Sequence, residues 1–254
     1  MTDAVKTIWV TGAGKGIGRA LALRLAEDGH RVAVSARTVA DLEDLAKSAE
    51  ESAGKIIPFP LDITKAETVP ETVEAIEREI GPLDLAVLNA GTHQAMWLDD
   101  FKAESVRHLM EVNFMGTVNC LDPLIHRFRA RGKGHIAVVA SLAGYRGLPS
   151  AGAYAASKAG LIALSEALKP ELDKVGVRLT LVNPGFVDTP LTRANEFEMP
   201  FLISQEDAVD QIMKGLKRTG FEIAFPLPMK LIMRCLRMLP YRLFFFLTRR
   251  MVKS

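Results

Sequence analysis

Residues 6–18 read KTIWVTGAGKGIG, a short apolar run that passes directly into a cluster of glycines. The apolar run is typical of a buried β-strand. Gly12, Gly16 and Gly18 permit a tight turn and a close approach of the backbone to a diphosphate. Their spacing departs from G-x-G-x-x-G because Ile17 stands at the place of the third glycine, but the turn can serve the same purpose. The stretch therefore predicts a strand followed by a nucleotide-binding turn.

Working outward, the chain alternates between apolar runs and stretches of helical spacing. Strands are predicted near residues 6–11, 31–36, 55–61, 84–89, 135–140, 176–182 and 221–225, and helices over residues 19–28, 39–53, 66–80, 104–131 and 153–173. This alternation predicts a parallel sheet with crossover helices. The predicted fold class is α/β, with one domain built on a doubly wound, seven-stranded parallel sheet. Ligands are expected at the carboxyl ends of its strands.

The composition is that of an ordinary globular chain. Its 254 residues are 48% hydrophobic and 24% charged, which suits one sizeable domain. The first residues lack the basic and apolar regions of a signal peptide, so none is expected. Cys120 and Cys235 form no disulfide framework, which favours a reducing compartment and a cytoplasmic location. The five histidines are scattered without ligand spacing, so no metal site is predicted.

Charge is distributed unevenly along the chain. The net charge of +2 divides into +9 for residues 214–254 and −7 for the rest. We therefore separate a nucleotide-binding catalytic domain, residues 1–226, from a basic, apolar C-terminal tail, residues 227–254. Pro240 is expected to break the tail into two helical pieces, and its arginines exclude a membrane-spanning helix. Two interpretations stay open: a basic amphipathic helix on an anionic membrane surface, or packing against a sister subunit. Nucleic acid is not an expected partner, because the tail's phenylalanines and leucines suit lipid better than phosphate.

The form of the cofactor can be argued from charge. Where an acid would bind a ribose 2′-hydroxyl, at the end of the second strand, the chain has Ala36 followed by Arg37. Lys15 lies inside the glycine turn. Two cations without an acid favour a 2′-phosphate, and hence NADP(H) over NAD(H). Asp62 could bind the adenine amino group, or belong to the N-cap region ahead of the third helix.

A second cluster of polar residues lies further along the chain. Tyr154 and Lys158 are four positions apart, so a helix would place them on one face, and Ser141 lies thirteen residues upstream. A cation near a phenol favours the phenolate, so the pKa of Tyr154 is expected to fall from about 10. A proton-transfer residue needs such a shift. A solvated surface pair would show the same spacing, so the pair alone decides nothing.

Taken together, these motifs resemble the short-chain dehydrogenase/reductase family, in its NADP(H)-preferring type. The matching elements, in family order, are Thr11-Gly12-x3-Gly16-Ile17-Gly18, Asn89-Ala90-Gly91, Asn113, Ser141, Tyr154-x3-Lys158 and Pro184-Gly185. The resemblance covers about residues 6–226, and Leu88 departs from it where many members have a second Asn. It implies a Rossmann fold and a homodimer or homotetramer.

The resemblance also implies a mechanism, hydride transfer between a nicotinamide and a carbonyl or alcohol carbon. Ser141 would hold the substrate oxygen and Tyr154 would exchange its proton. Lys158 would depress the pKa of Tyr154 and bind the nicotinamide ribose. Asn113 would hold a water that links Lys158 to solvent, and it is expected to bond helix backbone as a buried Asn as well. The implied cofactor-binding residues are Gly12, Lys15, Gly16, Ile17, Gly18, Arg37, Asp62, Ile63, Asn89, Ala90, Gly91, Tyr154, Lys158, Pro184, Gly185, Val187 and Thr189.

The substrate is expected against Ser141 and Tyr154, within a lining drawn from residues 93–97, 143–149 and a lid over residues 186–204. The lid is rich in apolar side chains, namely Phe186, Leu191, Phe197, Met199, Phe201 and Leu202. They predict an apolar pocket for a small lipophilic molecule, or ordinary packing of a loop on the core. A different class of function, an NADP(H)-binding sensor or scaffold, would leave the four catalytic residues without a use.

Overall fold

The computed structural model describes residues 4–193 and 198–252. The strands are β1 (Thr7–Thr11), β2 (Arg31–Ser35), β3 (Lys55–Pro58), β4 (Leu85–Leu88), β5 (Gly134–Val139), β6 (Val177–Pro184) and β7 (Glu222–Phe225). The α-helices within the described ranges are α1 (Gly16–Glu27), α2 (Val39–Ser48), α3 (Thr68–Ile80), α4 (Ala103–Met110), α5 (Gly116–Arg131), α6 (Gly152–Lys174), α7 (Gln205–Leu216), α8 (Leu227–Met238) and α9 (Tyr241–Thr248).

The seven strands form one parallel sheet in the order β3-β2-β1-β4-β5-β6-β7, which confirms the predicted fold. From β1 the chain builds outward to β3 on one side and then returns to build β4 to β7 on the other. The strand order therefore reverses between β1 and β4, where Thr11 pairs with Leu88. A crevice opens beyond the carboxyl ends of two strands at such a point. The glycine turn after β1 lies at this crevice.

Helices cover both faces of the sheet because successive strand residues point to opposite sides. In β1, Ile8 and Val10 join the core with α1, α2 and α7. Trp9 joins the opposite core with α3, α5 and α6. The Trp9 indole is fully buried and donates to Ser35 Oγ at 2.9 Å, so its polar group is satisfied.

The helical region predicted over residues 104–131 is confirmed, but it is not a single α-helix. A π-helical segment, Glu111–Met115, separates α4 from α5. Such segments are rare and frequently mark functional sites, and the buried Asn113 lies within this one. The third strand also ends early, at Pro58, whose ring nitrogen has no hydrogen to donate to a ladder. Hydrophobic periodicity reports neither feature.

The tail forms two helices, α8 and α9, and Pro240 separates them as predicted. Both helices contact the rest of the chain, since Met233 and Phe244 are only 1% and 4% exposed. The Arg146 guanidinium lies 4.4 Å from the centroid of the Phe244 ring, which fixes α9 by a cation–π contact. No helix in the described part of the chain is long and apolar enough to cross a membrane. The division into residues 1–226 and 227–254 stays a prediction.

Candidate active site

The glycine turn packs directly against the end of β4. Gly12 has φ +66°, and a Cβ at this position would lie 2.6 Å from Ala90 Cα. A Cβ on Gly18 would lie 2.4 Å from the Gly12 carbonyl oxygen, so side chains are excluded at both positions. Asn89 Nδ2 donates to the carbonyls of Thr11 and Gly12 at 3.1 and 3.2 Å. The glycines therefore hold the turn close to β4 and leave its outer surface to a ligand.

A cleft of about 500 Å³ runs along this turn. Eleven of the predicted cofactor-binding residues line it, namely Gly12, Lys15, Gly16, Ile17, Arg37, Asp62, Ile63, Asn89, Ala90, Gly91 and Thr189. Gly18 does not line it and supports the turn from behind. The remaining five, Tyr154, Lys158, Pro184, Gly185 and Val187, line the small cavity that follows the cleft. Six chain segments far apart in sequence thus meet along one groove.

The charge at the outer end of the cleft differs from the sequence argument, which counted two cations and no acid. Asp41, in the first turn of α2, also lines the cleft. Its Oδ2 lies 3.5 Å from Lys15 Nζ, and a Cβ on Gly14 would lie only 3.3 Å from the same oxygen. Asp41 is invisible to a motif search because it lies six residues beyond the end of β2. The cleft therefore carries Arg37 and a Lys15 that is partly neutralised.

Asp62 lines the cleft and is not a cap of α3, which begins at Thr68. Its Oδ1 accepts hydrogen bonds from the Thr64 amide and hydroxyl at 3.1 and 2.8 Å. Burial favours the neutral acid, but these bonds and the nearby Arg37 outweigh it and lower the pKa of Asp62. An ionised acceptor therefore faces the cleft.

A small cavity of about 110 Å³ links the cleft to the catalytic candidates. Ser141 follows β5 and caps a short 3₁₀ turn, Leu142–Gly144. Its Oγ accepts from the Ala143 amide at 3.1 Å and donates to the Pro184 carbonyl at 3.3 Å. The second bond is long, so the hydroxyl can turn its hydrogen toward a ligand at little cost.

Tyr154 and Lys158 lie on one face of α6, as the spacing predicts. Lys158 is 3% exposed, and its Nζ donates to the Val139 carbonyl at 3.0 Å. Burial lowers the pKa of Lys158 to about 8. The expected fall in the pKa of Tyr154 is wrong in this structure: burial raises it, and the hydrogen bond with Ser141 offsets only part of that effect. Lys158 Nζ lies over the phenol ring, 5.8 Å from its centroid, at the outer limit of a cation–π contact.

Asn113 is fully buried and its side chain is engaged with neighbouring groups. Its Oδ1 accepts from the Thr92 amide at 2.7 Å. Its Nδ2 donates to the Thr92 carbonyl at 2.9 Å and to Ser157 Oγ at 3.1 Å. Asn113 therefore ties the loop after β4 to α6. A Cβ on Gly91 would lie 3.2 Å from Asn113 Oδ1 and 3.4 Å from Lys158 Nζ, so glycine leaves both polar groups room at this point. Its role in a water relay stays a prediction.

An apolar cavity of about 440 Å³ lies on the other side of Ser141 and Tyr154. Its walls include Trp97, Leu148, Phe186 and Leu191, from the predicted lining, and the rings of His93 and Tyr154 meet edge to face at 4.8 Å. Sequence reasoning missed Met229, Met233 and Met251, which come from the tail. Their only sequence signal is the four-residue spacing of the first two. In the predicted lid, Phe201 and Leu202 are exposed, and Phe197 lies outside the described residues.

Glu222, on β7, joins the tail to the wall of this cavity. Its Oε1 accepts from the Tyr145 hydroxyl and from Asn183 Nδ2, and its Oε2 accepts from Arg234 at 2.7 Å. Burial opposes ionisation, but the three donors outweigh it and lower the pKa of Glu222. Burial, and then the Glu222 charge, raise the pKa of Tyr145 to about 12. The network fixes α8 beside the turn that carries Ser141.

Comparison with known proteins identifies the family. The family model for short chain dehydrogenases matches residues 6–199. Over 246 residues the chain is 39% identical to an uncharacterised oxidoreductase from Myxococcus xanthus, with 97% of each protein covered. The chain therefore belongs to the short-chain dehydrogenase family and is an oxidoreductase.

Solved structures show the same fold. An alcohol dehydrogenase from the archaeon Thermococcus sibiricus, complexed with 5-hydroxy-NADP, matches with a TM-score of 0.78 and 28% identity over 87% of this chain and 96% of that one. A short chain dehydrogenase/reductase from Burkholderia phymatum, in complex with NAD, matches with a TM-score of 0.84 over 92% and 93% of the two chains. At 22% identity the second likeness concerns the fold alone.

Proposed function

We propose that the protein is an NADP(H)-dependent oxidoreductase that transfers a hydride between the nicotinamide and a carbonyl or secondary alcohol of a small lipophilic substrate. The observation that carries this proposal is the succession of three spaces. A cleft of about 500 Å³ along the glycine turn adjoins a small cavity of about 110 Å³, which adjoins an apolar cavity of about 440 Å³. Ser141 and Tyr154 line both the small cavity and the apolar cavity. They lie where a cofactor and a substrate would meet.

The residues along the cleft fit a dinucleotide. The glycine turn presents backbone without side chains where a diphosphate would lie, because Gly12 and Gly18 leave no room for a Cβ. Ionised Asp62 offers an acceptor to an adenine amino group, and Arg37 a cation to a ribose phosphate. When bound, the cofactor supplies or accepts the hydride at the nicotinamide ring.

The protein's own residues would manage the oxygen and the proton. In the direction of reduction, Ser141 donates a hydrogen bond to the carbonyl oxygen and stabilises the negative charge that develops there. Tyr154 transfers its phenolic proton to that oxygen as the carbonyl carbon receives the hydride, which leaves a neutral alcohol and a phenolate. The raised pKa keeps Tyr154 protonated before the reaction. The Lys158 ammonium, on the same face of α6, then stabilises the phenolate.

The preference for NADP(H) over NAD(H) is part of the proposal. Arg37 and Lys15 support it, and the absence of an acid at Ala36 removes the usual partner of a 2′-hydroxyl. Asp41 opposes it, because its carboxylate would repel a 2′-phosphate and already pairs with Lys15. We expect Arg37 to prevail, because the ion pair of Asp41 is with Lys15.

The direct test is turnover. Purified protein is offered NADPH with a panel of carbonyl compounds, and NADP⁺ with the matching alcohols, ordered by size and hydrophobicity. The proposal expects oxidation of NADPH that favours apolar members of the panel. Tight NADPH binding without turnover of any member would support the sensor or scaffold instead.

Two further statements belong to the proposal. The protein assembles as a homodimer or homotetramer, which sedimentation equilibrium measures directly. Residues 227–254 contact the cytoplasmic membrane surface peripherally. This is supported by basic side chains on both tail helices and by exposed apolar residues such as Leu231 and Phe246.

A further inference from the structure

We propose that the tail is at once a lipid-docking surface and one wall of the substrate cavity, so that the enzyme takes a membrane-resident lipophilic carbonyl or alcohol directly from an anionic bilayer. This inference rests on the proposed function, whose substrate class it narrows. It is carried by four observations: the two faces of the tail, the rim of the cavity, the strained backbone beside it and the charge of the tail.

The tail helices present different faces to the protein and to solvent. Met229 and Met233 of α8, with Met251 after α9, line the apolar cavity. On the outer side, Leu231, Leu243 and Phe246 are exposed. An α-helix with its side chains is about 10 Å across. A bilayer against the outer face would therefore lie about one helix diameter from the cavity.

The rim of the cavity is apolar as well. Three lining residues are each followed directly by an exposed apolar side chain: Leu98 after Trp97, Phe201 after Pro200 and Val252 after Met251. Leu98 is 89% exposed. Soluble surfaces scatter such residues singly, whereas a group of them around one opening is typical of a membrane or ligand contact.

Backbone strain is concentrated at the same place. Among the described residues, Ser150 and Phe201 are the non-glycine residues with positive φ, at +61° and +58°. Ser150 lines the cavity, and Phe201 follows the lining residue Pro200. Side chains rarely adopt this conformation, and where they do the strain commonly serves a binding site. Phe201 is 46% exposed although it follows a residue of the cavity wall directly.

Charge identifies the occupant of the outer surface. Residues 227–252 hold six cations and no acid; Arg234 pairs with Glu222 of β7, which leaves Lys230, Arg237, Arg242, Arg249 and Arg250. A two-fold dimer through this face would oppose two cationic surfaces, which is unfavourable. Anionic lipid headgroups complement it, and long basic side chains can reach them while the apolar residues enter the acyl boundary. The outer surface of the tail is therefore assigned to contact with a lipid bilayer and not with a second copy of the chain.

The test uses the full chain and a charge-reversal variant, Arg242→Glu/Arg249→Glu. Both arginines are exposed and outside the cavity wall, so the variant should fold. The matched control, Lys133→Glu/Lys174→Glu, places the same charge change on exposed residues next to the amino-terminal ends of β5 and β6. Binding is measured by co-sedimentation with phosphatidylcholine vesicles, with and without phosphatidylglycerol. Turnover is measured with NADPH and two ketones, one long-chain ketone carried in the vesicles and one short water-soluble ketone.

The inference expects binding only to vesicles with phosphatidylglycerol. The arginine variant should bind them at least about thirtyfold more weakly, and the lysine control should bind as the wild type does. Turnover of the vesicle-borne ketone should fall with binding, while turnover of the soluble ketone stays unchanged. Equal binding of the two variants to these vesicles overturns the inference, and so does undiminished turnover of the vesicle-borne ketone by the arginine variant. Dissociation of a wild-type dimer into monomers in the arginine variant also overturns it, because the tail would then be a subunit interface. Failure of the proposed function is distinct: neither ketone would be reduced by any form.

Discussion

Replacing Glu222 by Gln should weaken the attachment of the tail to the cavity wall while the size of the side chain stays nearly the same. Oε1 of Glu222 accepts from Tyr145 and Asn183, and Oε2 accepts from Arg234. A Gln can keep its carbonyl oxygen at the first position. The Gln amide group then faces the Arg234 guanidinium, so two hydrogen-bond donors oppose each other and the ion pair with Arg234 is lost. The hydrogen bonds from Tyr145 and Asn183 remain, but their acceptor is no longer charged.

The magnitude follows from exposure. The Arg234 side chain is 52% exposed, so its ion pair is worth only about 0.2–1 kcal/mol after screening by solvent. The two remaining bonds lie in less exposed surroundings, and the loss of the charge should weaken each by roughly 0.5–1 kcal/mol. Glu222→Gln should therefore cost about 1.2–3 kcal/mol, or a fall in Tm of roughly 2–12 °C for a chain of this size. Arg234→Met, which removes only the ion pair, should cost less than half of that.

The assay is thermal and denaturant unfolding of the wild type and both variants across a range of pH. Because folding lowers the pKa of Glu222 below its ordinary value of 4.5, its stabilisation is present above that pH. It is lost as the pH falls through the lower folded pKa, so the difference between wild type and Glu222→Gln should shrink in acid. A Glu222→Gln protein as stable as the wild type, or an Arg234→Met protein that loses just as much, would refute the reasoning.

Two other predictions concern the active site. Arg37→Ala should lower the preference for NADPH over NADH by roughly 10- to 100-fold, since a charged hydrogen bond is worth about 1.5–3 kcal/mol, whereas Asp41→Asn should raise that preference. The ratio of kcat/KM for the two cofactors measures both effects. An unchanged ratio in Arg37→Ala would contradict the NADP(H) assignment. Lys158→Met should abolish turnover yet stabilise the protein by about 1–2 kcal/mol at pH 7, because it relieves a buried charge and forfeits one hydrogen bond. The folded pKa of Lys158 is lowered to about 8 from 10.5, so the stability of the wild type should rise as the pH increases between these values, and the stability advantage of the variant should vanish there. Unfolding of both proteins at pH 7 and pH 10 measures this change. A Lys158→Met protein less stable than the wild type at pH 7 would contradict the prediction.

Local chemistry made most of the fold predictable. The order of strands and helices follows from hydrophobic periodicity and from glycines at the ends of elements, both readable within a few residues. The pairing of Tyr154 with Lys158 is equally local, because four-residue spacing fixes it on any helix. Even the break at Pro240 requires only the missing N–H and the ring of one residue.

Features that depend on tertiary packing could not be predicted from local sequence. The direction of the pKa shift at Tyr154 was wrong because burial is set by residues distant in sequence. Glu222 bonds Tyr145 across 77 positions, and no motif announces that contact. Asp41 enters the cleft only because α2 folds back beside the glycine turn. The methionines of the tail were not predicted to line a pocket, because their side chains meet the apolar cavity only once the tail packs on the rest of the chain.

The most direct test of the central claim is Tyr154→Phe. Only the phenolic oxygen is removed, so the edge-to-face contact between the residue 154 ring and His93 should persist. With NADPH and the best carbonyl from the panel, kcat should fall by roughly 10²- to 10⁴-fold, the usual contribution of a positioned acid. Unfolding temperature and the Kd for NADPH should stay at wild-type values. A folded, NADPH-binding Tyr154→Phe protein with normal kcat would contradict the account.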